Sequence, residues 1–280
     1  MKITIWGSRG SIPSPGQDTL KYGGNSTCLE LRPANGGIII IDAGSGIRLL
    51  GKKLIKEAKS DQIFLLLTHA HWDHLSGFPF FMPAYSNKFK INVIGGPKAQ
   101  RSIKRYLSQQ MNPPFFPIDM SLMNAEFKFG KEAPDISSVG SVKVSSIPLI
   151  HPNGGYGYKF HEECKTFVFL TDNEIGFAHS NSLQYQKYVD FCKGADLLIH
   201  DAQYTDEEYK ITKGWGHSTY NDALKLALDA EVKQFGIFHH DPDRTDADLD
   251  QQVDKCNEFI AQAKSNLICF ASKEKQEIEV

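Results

Sequence analysis

Cysteine is sparse and scattered in this 280-residue chain: Cys28, Cys164, Cys192, Cys256 and Cys269 are odd in number and never form Cys-X-X-Cys. That pattern specifies neither a disulfide framework nor a thiolate zinc site, and a reducing compartment fits it best. Long apolar runs are missing too. No stretch approaches the roughly 20 residues a membrane span needs, and Met1-Lys2-Ile3-Thr4-Ile5-Trp6 shows no basic segment followed by a long apolar one. The expectation is a soluble, cytoplasmic protein with no membrane partner. Charge of one sign is not in excess either, because 31 Lys and Arg face 33 Asp and Glu. The net charge of −2 gives no global pull toward nucleic acid. Lys98, Arg101, Lys104 and Arg105 could make a local basic patch, although a solvated helix face is the blander reading of that spacing. Repeats, low-complexity tracts and linkers are absent, so residues 1–280 read as one domain able to bury a sizeable core.

What is present is a series of short apolar segments that each end in polar residues. Ile38 to Ile41 runs into Asp42, Leu65 to Leu67 into Thr68-His69, and Phe167 to Leu170 into Thr171-Asp172. Leu197 to Ile199 runs into His200-Asp201, and Gly236 to Phe238 into His239-His240. Amphipathic spacing predicts helices between them, over Ile47 to Lys59, Lys98 to Gln110, Ser182 to Cys192, Thr219 to Ala230 and Asp246 to Ala263. Ser121 to Ile150 reads as strands with turns, and Pro113 to Pro117 as a rigid loop. Interleaved strands and helices define an α/β chain, and strand-end loops are where such sheets place their sites.

The densest chemistry is Thr68-His69-Ala70-His71-Trp72-Asp73-His74. Side chains alternate along an extended segment, so His69 and His71 can face one cation. Asp73 and His74, past a turn beginning at Trp72, can serve a second. Imidazole with carboxylate suits Zn²⁺, Mn²⁺ or Fe²⁺ better than Ca²⁺ or Mg²⁺. Further strand ends supply His151, Asp172 and either His239 or His240. Each of these alone reads as a turn, cap or core residue, and their joint occurrence is what carries the reading.

This order of residues, with Ile41-Asp42-Ala43-Gly44 upstream, resembles the metallo-β-lactamase superfamily over nearly the whole chain. The resemblance implies an αββα sandwich, two facing mixed β-sheets between outer helices, with two divalent metals at one sheet edge. It assigns His69, His71 and His151 to one metal, Asp73, His74 and His239 to the other, and Asp172 to both. His239 is preferred over His240 by comparison with the related phosphodiesterase pattern. Asp42 is implied as a support for the ligand loop, with a helix N-cap as its alternative. Ala195 to Ala202 and Gly216-His217-Ser218-Thr219 are similar to two segments of the phosphodiesterase branch, which includes ribonuclease Z and small cyclic-phosphate esterases. In that branch a carboxylate orients a histidine that protonates the leaving oxygen, roles that fall here to Asp201 and His217. The Asp is one methylene shorter than the branch's Glu. Placement beside a capping Ser218 or Thr219 is the structural alternative for His217. Gly7-Ser8-Arg9-Gly10-Ser11-Ile12-Pro13 resembles the opening loop of the same branch.

Such a site, with Zn²⁺ first and Mn²⁺ or Fe²⁺ as alternatives, would carry a formal charge of about +2 and attract an anionic phosphodiester. The implied reaction is attack by metal-activated hydroxide with Asp73 in the metal cluster and His217 as the leaving-group acid. A small, cyclic nucleotide-like diester is the favoured substrate, with Tyr204, Trp215, Phe115 or Phe116 as base-stacking candidates. A transfer-RNA 3′-processing endoribonuclease is the runner-up. In the family its RNA-binding arm lies between the ligands matching His151 and Asp172, where this chain has only about twenty residues. A lactonase or thioesterase on the same metals, and a non-catalytic nucleotide-sensing module, are the other readings. The resemblance also implies a homodimer, with Lys98 to Phe116 as a contact or lid.

Overall fold

Four consecutive isoleucines, Ile38 to Ile41, are each fully buried, which requires an extended segment covered on both faces. The computed structural model describes residues 1–57, 59–95, 102–133, 137–177 and 182–280. In chain order the elements are Lys2–Gly7 (β1), Cys28–Arg32 (β2), Ile38–Ile41 (β3), Ile47–Glu57 (α1), Gln62–Leu67 (β4), Trp72–Leu75 (α2), Lys90–Gly95 (β5), Ile103–Gln109 (α3), Glu126–Phe129 (β6), Ser138–Val139 (β7) and Val142–Pro148 (β8). They continue with Tyr156–Glu162 (β9), Lys165–Leu170 (β10), Tyr185–Cys192 (α4), Leu197–Asp201 (β11), Asp206–Thr212 (α5), Tyr220–Asp229 (α6), Gln234–Phe238 (β12), Asp246–Gln262 (α7), Ile268–Ala271 (β13) and Glu277–Glu279 (β14).

The strands form two sheets of seven, in the orders β14-β1-β2-β3-β4-β5-β6 and β13-β12-β11-β10-β9-β8-β7. Both are mixed: β3 to β6 run parallel in the first and β10 to β13 parallel in the second, with antiparallel strands completing each. Three apolar layers follow from the alternation of side chains across a strand. Ile39 and Ile41 face Phe160, Phe167, Phe169 and Ile199 between the sheets. Ile38 and Ile40 face the other way, onto Ile47, Leu50 and Leu54 of α1. Val168, Leu170 and Leu198 cover the far side of the second sheet against α4, α6 and α7. This is the αββα sandwich expected from the resemblance.

Helix boundaries follow their caps. Thr219 and Thr245 accept the N–H groups of Asp222 and Asp248, so α6 and α7 begin one residue beyond each threonine. The helix predicted from Ser182 starts instead at Tyr185, because Gln184 at its N-cap is extended (φ −66°, ψ 146°) and makes no side-chain cap bond. The helix predicted to Lys59 ends at Glu57, and residue 58 lies outside the described residues. The helix predicted over Lys98 to Gln110 is described from Ile103, and Lys98 and Arg101 of the basic patch lie outside the described residues. Helix α5 was not predicted; it rests on a capping box in which Thr205 and Glu208 satisfy each other's backbone N–H.

The registers bring the chemistry to one edge. Leu170 pairs with His200, and Asp201 with Phe238, so the chain leaving these parallel strands carries Asp172, Asp201 and His239 to adjacent positions. In the first sheet Ile41 pairs with Leu66, which sets Asp42 beside the start of the histidine run. Asp42, Asp172 and His239 all adopt left-handed backbone, with φ of 62°, 48° and 59°. Each such residue costs on the order of 1–3 kcal/mol and persists only where its surroundings hold it.

Candidate metal centre

The turn after β4 places Asp73 and His74 on the short helix α2, while His69 and His71 precede it in extended chain. With the strand ends of the second sheet they make two groups whose donor atoms lie within 4.8 Å of one another. The first is His69, His71, His151 and Asp172; the second is Asp73, His74, Asp172 and His239. Asp172 belongs to both. Its Oδ2 faces His69 Nε2 at 3.5 Å and His151 Nε2 at 3.7 Å, and its Oδ1 faces His74 Nε2 and His239 Nε2 at 3.2 Å each. Of the adjacent pair, His239 enters the cluster, while His240 donates from Nε2 to Ser272 O at 2.7 Å on the far side.

The outward nitrogens fix the orientation of the inward ones. His74 Nδ1 donates to Asp42 Oδ2 at 2.8 Å, His151 Nδ1 to Gly216 O at 2.9 Å, and His239 Nδ1 to Gln203 Oε1 at 3.0 Å. Thr68 gives its hydroxyl proton to Asp42 Oδ2, which leaves its oxygen to accept from His69 Nδ1 at 3.1 Å. Nε2 of these four rings is thereby turned inward. His69 Nε2 and His74 Nε2 are buried without a hydrogen-bond partner, although buried polar atoms are normally paired. His239 Nε2 and His74 Nε2 also stand 3.0 and 3.1 Å from Asp73 Oδ2. Lone pairs and carboxylate oxygens aimed at one another need positive charge between them, so the donor set fits divalent metal ions.

The titration of the cluster carries the same demand. Burial pushes the Asp73 and Asp172 carboxyls up, but the facing imidazoles, His74 for Asp73 and His239 for Asp172, outweigh it and hold both well below the usual carboxylate range. Burial likewise lowers His74 and His239, yet the two carboxylates lift His74 well above its ordinary value and His239 to about 9. His69 and His71 are pushed down, and His151 to about 4, each chiefly by burial. The three-histidine side is therefore neutral, with His151 Nε2 and His71 Nδ1 3.0 Å apart, and neutral imidazole is the form that ligates a metal.

Asp42 is no helix cap. Its carboxylate accepts from the Thr68 N–H, the Thr68 hydroxyl and His74 Nδ1 at 2.8 Å each, all fully buried. Asp42→Asn keeps the left-handed backbone but sets an amide N–H₂ against one of these donors. Metal affinity is expected to fall about 10- to 100-fold, as for other residues that support ligating histidines; titration against a chromophoric chelator measures it, and an unchanged affinity counts against this support.

Asp201 and His217 meet at the rim. His217 Nδ1 lies 3.0 Å from Asp201 Oδ2, so the shorter carboxylate reaches. That oxygen also accepts the Asn173 N–H at 3.1 Å. The His217 ring stacks on His239 with centroids 4.8 Å apart and planes 17° apart, beside the second group. Thr219 caps α6 two residues on, so helix-start placement and the Asp201 contact coexist.

Several contacts of the site are not readable from the sequence. The fully buried Glu174 accepts the Gly214 N–H at 2.6 Å, the Gly216 N–H at 2.8 Å and the Tyr209 hydroxyl at 2.8 Å, tying down the loop that carries His217. Gly216, at φ 98°, and Gly10 leave no room for a Cβ, because the rings of His151 and His239 lie against their backbones. Ser11, at φ 61°, donates its N–H to Asp73 Oδ2 at 2.9 Å. Asn173 and Gln203 carried no signal beyond their places one residue after Asp172 and two after Asp201. Of the stacking candidates, Tyr204 is only 5% exposed and packs edge-on against His217, so a ligand cannot lie on it. Phe116 packs edge-on against Phe80, while Trp215 and Phe115 are exposed. A cavity of about 310 Å³ opens over the cluster, lined by Ser11, Ala70, Trp72, His71, His217 and the ligand-type residues beneath.

The family model for the beta-lactamase superfamily domain matches residues 38–240, and the chain belongs to this metallo-β-lactamase superfamily. It is a metal-dependent hydrolase. Ribonuclease Z of Staphylococcus epidermidis is 25% identical over 279 residues, covering 85% of this chain and 88% of that protein. The human short-form tRNase Z superposes with a TM-score of 0.64 at 18% identity, covering 100% of this chain and 99% of that one. Unliganded yeast PDE1 gives a TM-score of 0.67 at 13% identity, with coverage of 100% and 99%. Among the described residues no helix is long and apolar enough to cross a membrane.

Proposed function

We propose that the chain hydrolyses a small phosphodiester, most favourably a cyclic nucleotide, at two divalent metals held by the histidine and aspartate cluster. The observation that carries this reading is the His217–Asp201 pair, 3.0 Å apart and stacked on the second group. His69, His71 and His151 would hold one metal, Asp73, His74 and His239 the other, and Asp172 both. When bound there, two divalent ions supply Lewis-acid charge that lowers the pKa of water and neutralises non-bridging phosphate oxygens.

The remaining steps belong to the protein. Asp201 holds Nδ1 of His217, so Nε2 faces the cavity with the proton that the departing alkoxide takes as the P–O bond breaks. Gln203, Gly216 O, Thr68 and Asp42 keep the ligating rings from turning, and Ser11 N–H holds Asp73. Between His151 and Asp172 the chain folds as the β9–β10 hairpin within the second sheet, with no protruding arm, which supports a small diester over a large RNA. The second reading, an RNA-processing endonuclease, is favoured by the ribonuclease Z relatives.

Hydrolysis of 3′,5′- and 2′,3′-cyclic nucleotides, an aryl phosphodiester and a precursor transfer RNA by protein loaded with Zn²⁺ or Mn²⁺ tests both. Cleavage of a cyclic nucleotide, lost in Asp73→Ala, is the expected result. Cleavage of the RNA alone would replace the first reading with the second. Turnover of lactones or thioesters with every diester inert would remove both.

A further inference from the structure

We infer that Trp72 is the platform on which a nucleobase of the substrate stacks beside the scissile phosphate, an inference that rests on the phosphodiesterase reading and specifies its substrate class. Trp72 lines the cavity and is 79% exposed, so neither face of its indole is taken up by the protein. It is the one large apolar side chain in a lining otherwise made of Ser11, Ala70 and ionisable groups. The chain on either side is fixed, because His71 and Asp73 both point into the cluster, and this leaves the side chain between them directed outward at the first position of α2. The backbone of Trp72 is therefore held by its neighbours, and the indole projects from it without contacts of its own in the core.

A phosphodiester of small alcohols would leave this surface wet. A nucleoside would cover it, since every base offers a π-face to an aromatic side chain while its phosphate lies over the metals. The cavity of about 310 Å³ has room for one nucleotide. Trp215, though 62% exposed, is not part of the lining, and Tyr204 is buried, so neither competes for the role.

Two measurements on zinc-loaded protein test the assignment. The first compares steady-state cleavage of a cyclic nucleotide with that of its analogue carrying a methoxy group in place of the base. Trp72→Ala is expected to lower the preference for the base-bearing substrate by about tenfold or more, through KM rather than kcat, and Trp72→Phe to retain most of it. The second compares calorimetric binding of adenosine monophosphate and ribose 5-phosphate, which needs no turnover, and the same loss confined to the nucleotide is expected. Equal changes for ligands with and without a base, or no change for either, overturn the role of Trp72. If the wild-type protein cleaves no diester the proposed function fails, and the binding comparison still decides the platform on its own.

Discussion

Asp172→Asn is expected to lower diester hydrolysis by at least about 10³-fold and to reduce the bound metal below two equivalents per chain. The residue is singular because its two oxygens face the two donor groups separately, Oδ2 toward His69 and His151 and Oδ1 toward His74 and His239. Removing its charge weakens both groups at once, whereas loss of one histidine weakens one. Metal charge at a reacting phosphoryl group is worth several kcal/mol, and each 1.36 kcal/mol is tenfold in rate. Asparagine is chosen over alanine because the backbone sits at φ 48°, a conformation that asparagine adopts readily. Elemental analysis beside kcat makes the test. Two retained metals with near-normal turnover would mean that Asp172 does not bridge.

His217→Ala is expected to cost about 10²–10⁴-fold in kcat on diesters with alkoxide leaving groups, the usual worth of a positioned general acid. The loss should be much smaller for a p-nitrophenyl ester, whose phenolate departs without a proton. Metal content should stay at the wild-type level, since His217 belongs to neither four-residue group and shares only His239 with them in the three-residue group it forms with Asp201. A purely structural role would depress both esters equally, and loss of metal would place His217 among the ligands. Asp201→Asn should follow the same leaving-group pattern, because Asp201 acts through Nδ1 of His217.

The parts of this site that were legible in the sequence are the ones encoded locally. Thr68 to His74 holds four ligand-type side chains in one turn, and its spacing survives whatever the rest of the chain does. Asp172 and His239 were legible as strand ends, because a buried parallel strand stops where polar residues begin. The choice of His239 over His240 came from the phosphodiesterase pattern and not from local spacing, and in the structure it is His239, at a left-handed turn, whose ring faces the cluster. Groups that act through the backbone left no trace of their roles, even where their segments resembled the branch. The Gly216 carbonyl on His151, the Asn173 N–H on Asp201 and the Ser11 N–H on Asp73 are supplied by peptide units that any side chain could carry. Helix α5 was missed for a different reason: its Thr205–Glu208 box was present in the sequence, but the helix is too short to show an amphipathic period.

Each sheet contributes half of each four-residue group: His69 and His71, then Asp73 and His74, come from the loops of the first, and His151, His239 and the shared Asp172 from those of the second. Cations held there would lace the two layers together at one edge of the sandwich. Metal binding is then inseparable from folding, because a chain whose layers have parted offers only half of each coordination sphere. Chelation would act on the molecule as cutting a stitch acts on a seam, loosening the edge where the sheets meet and leaving the apolar layer between them to hold the rest.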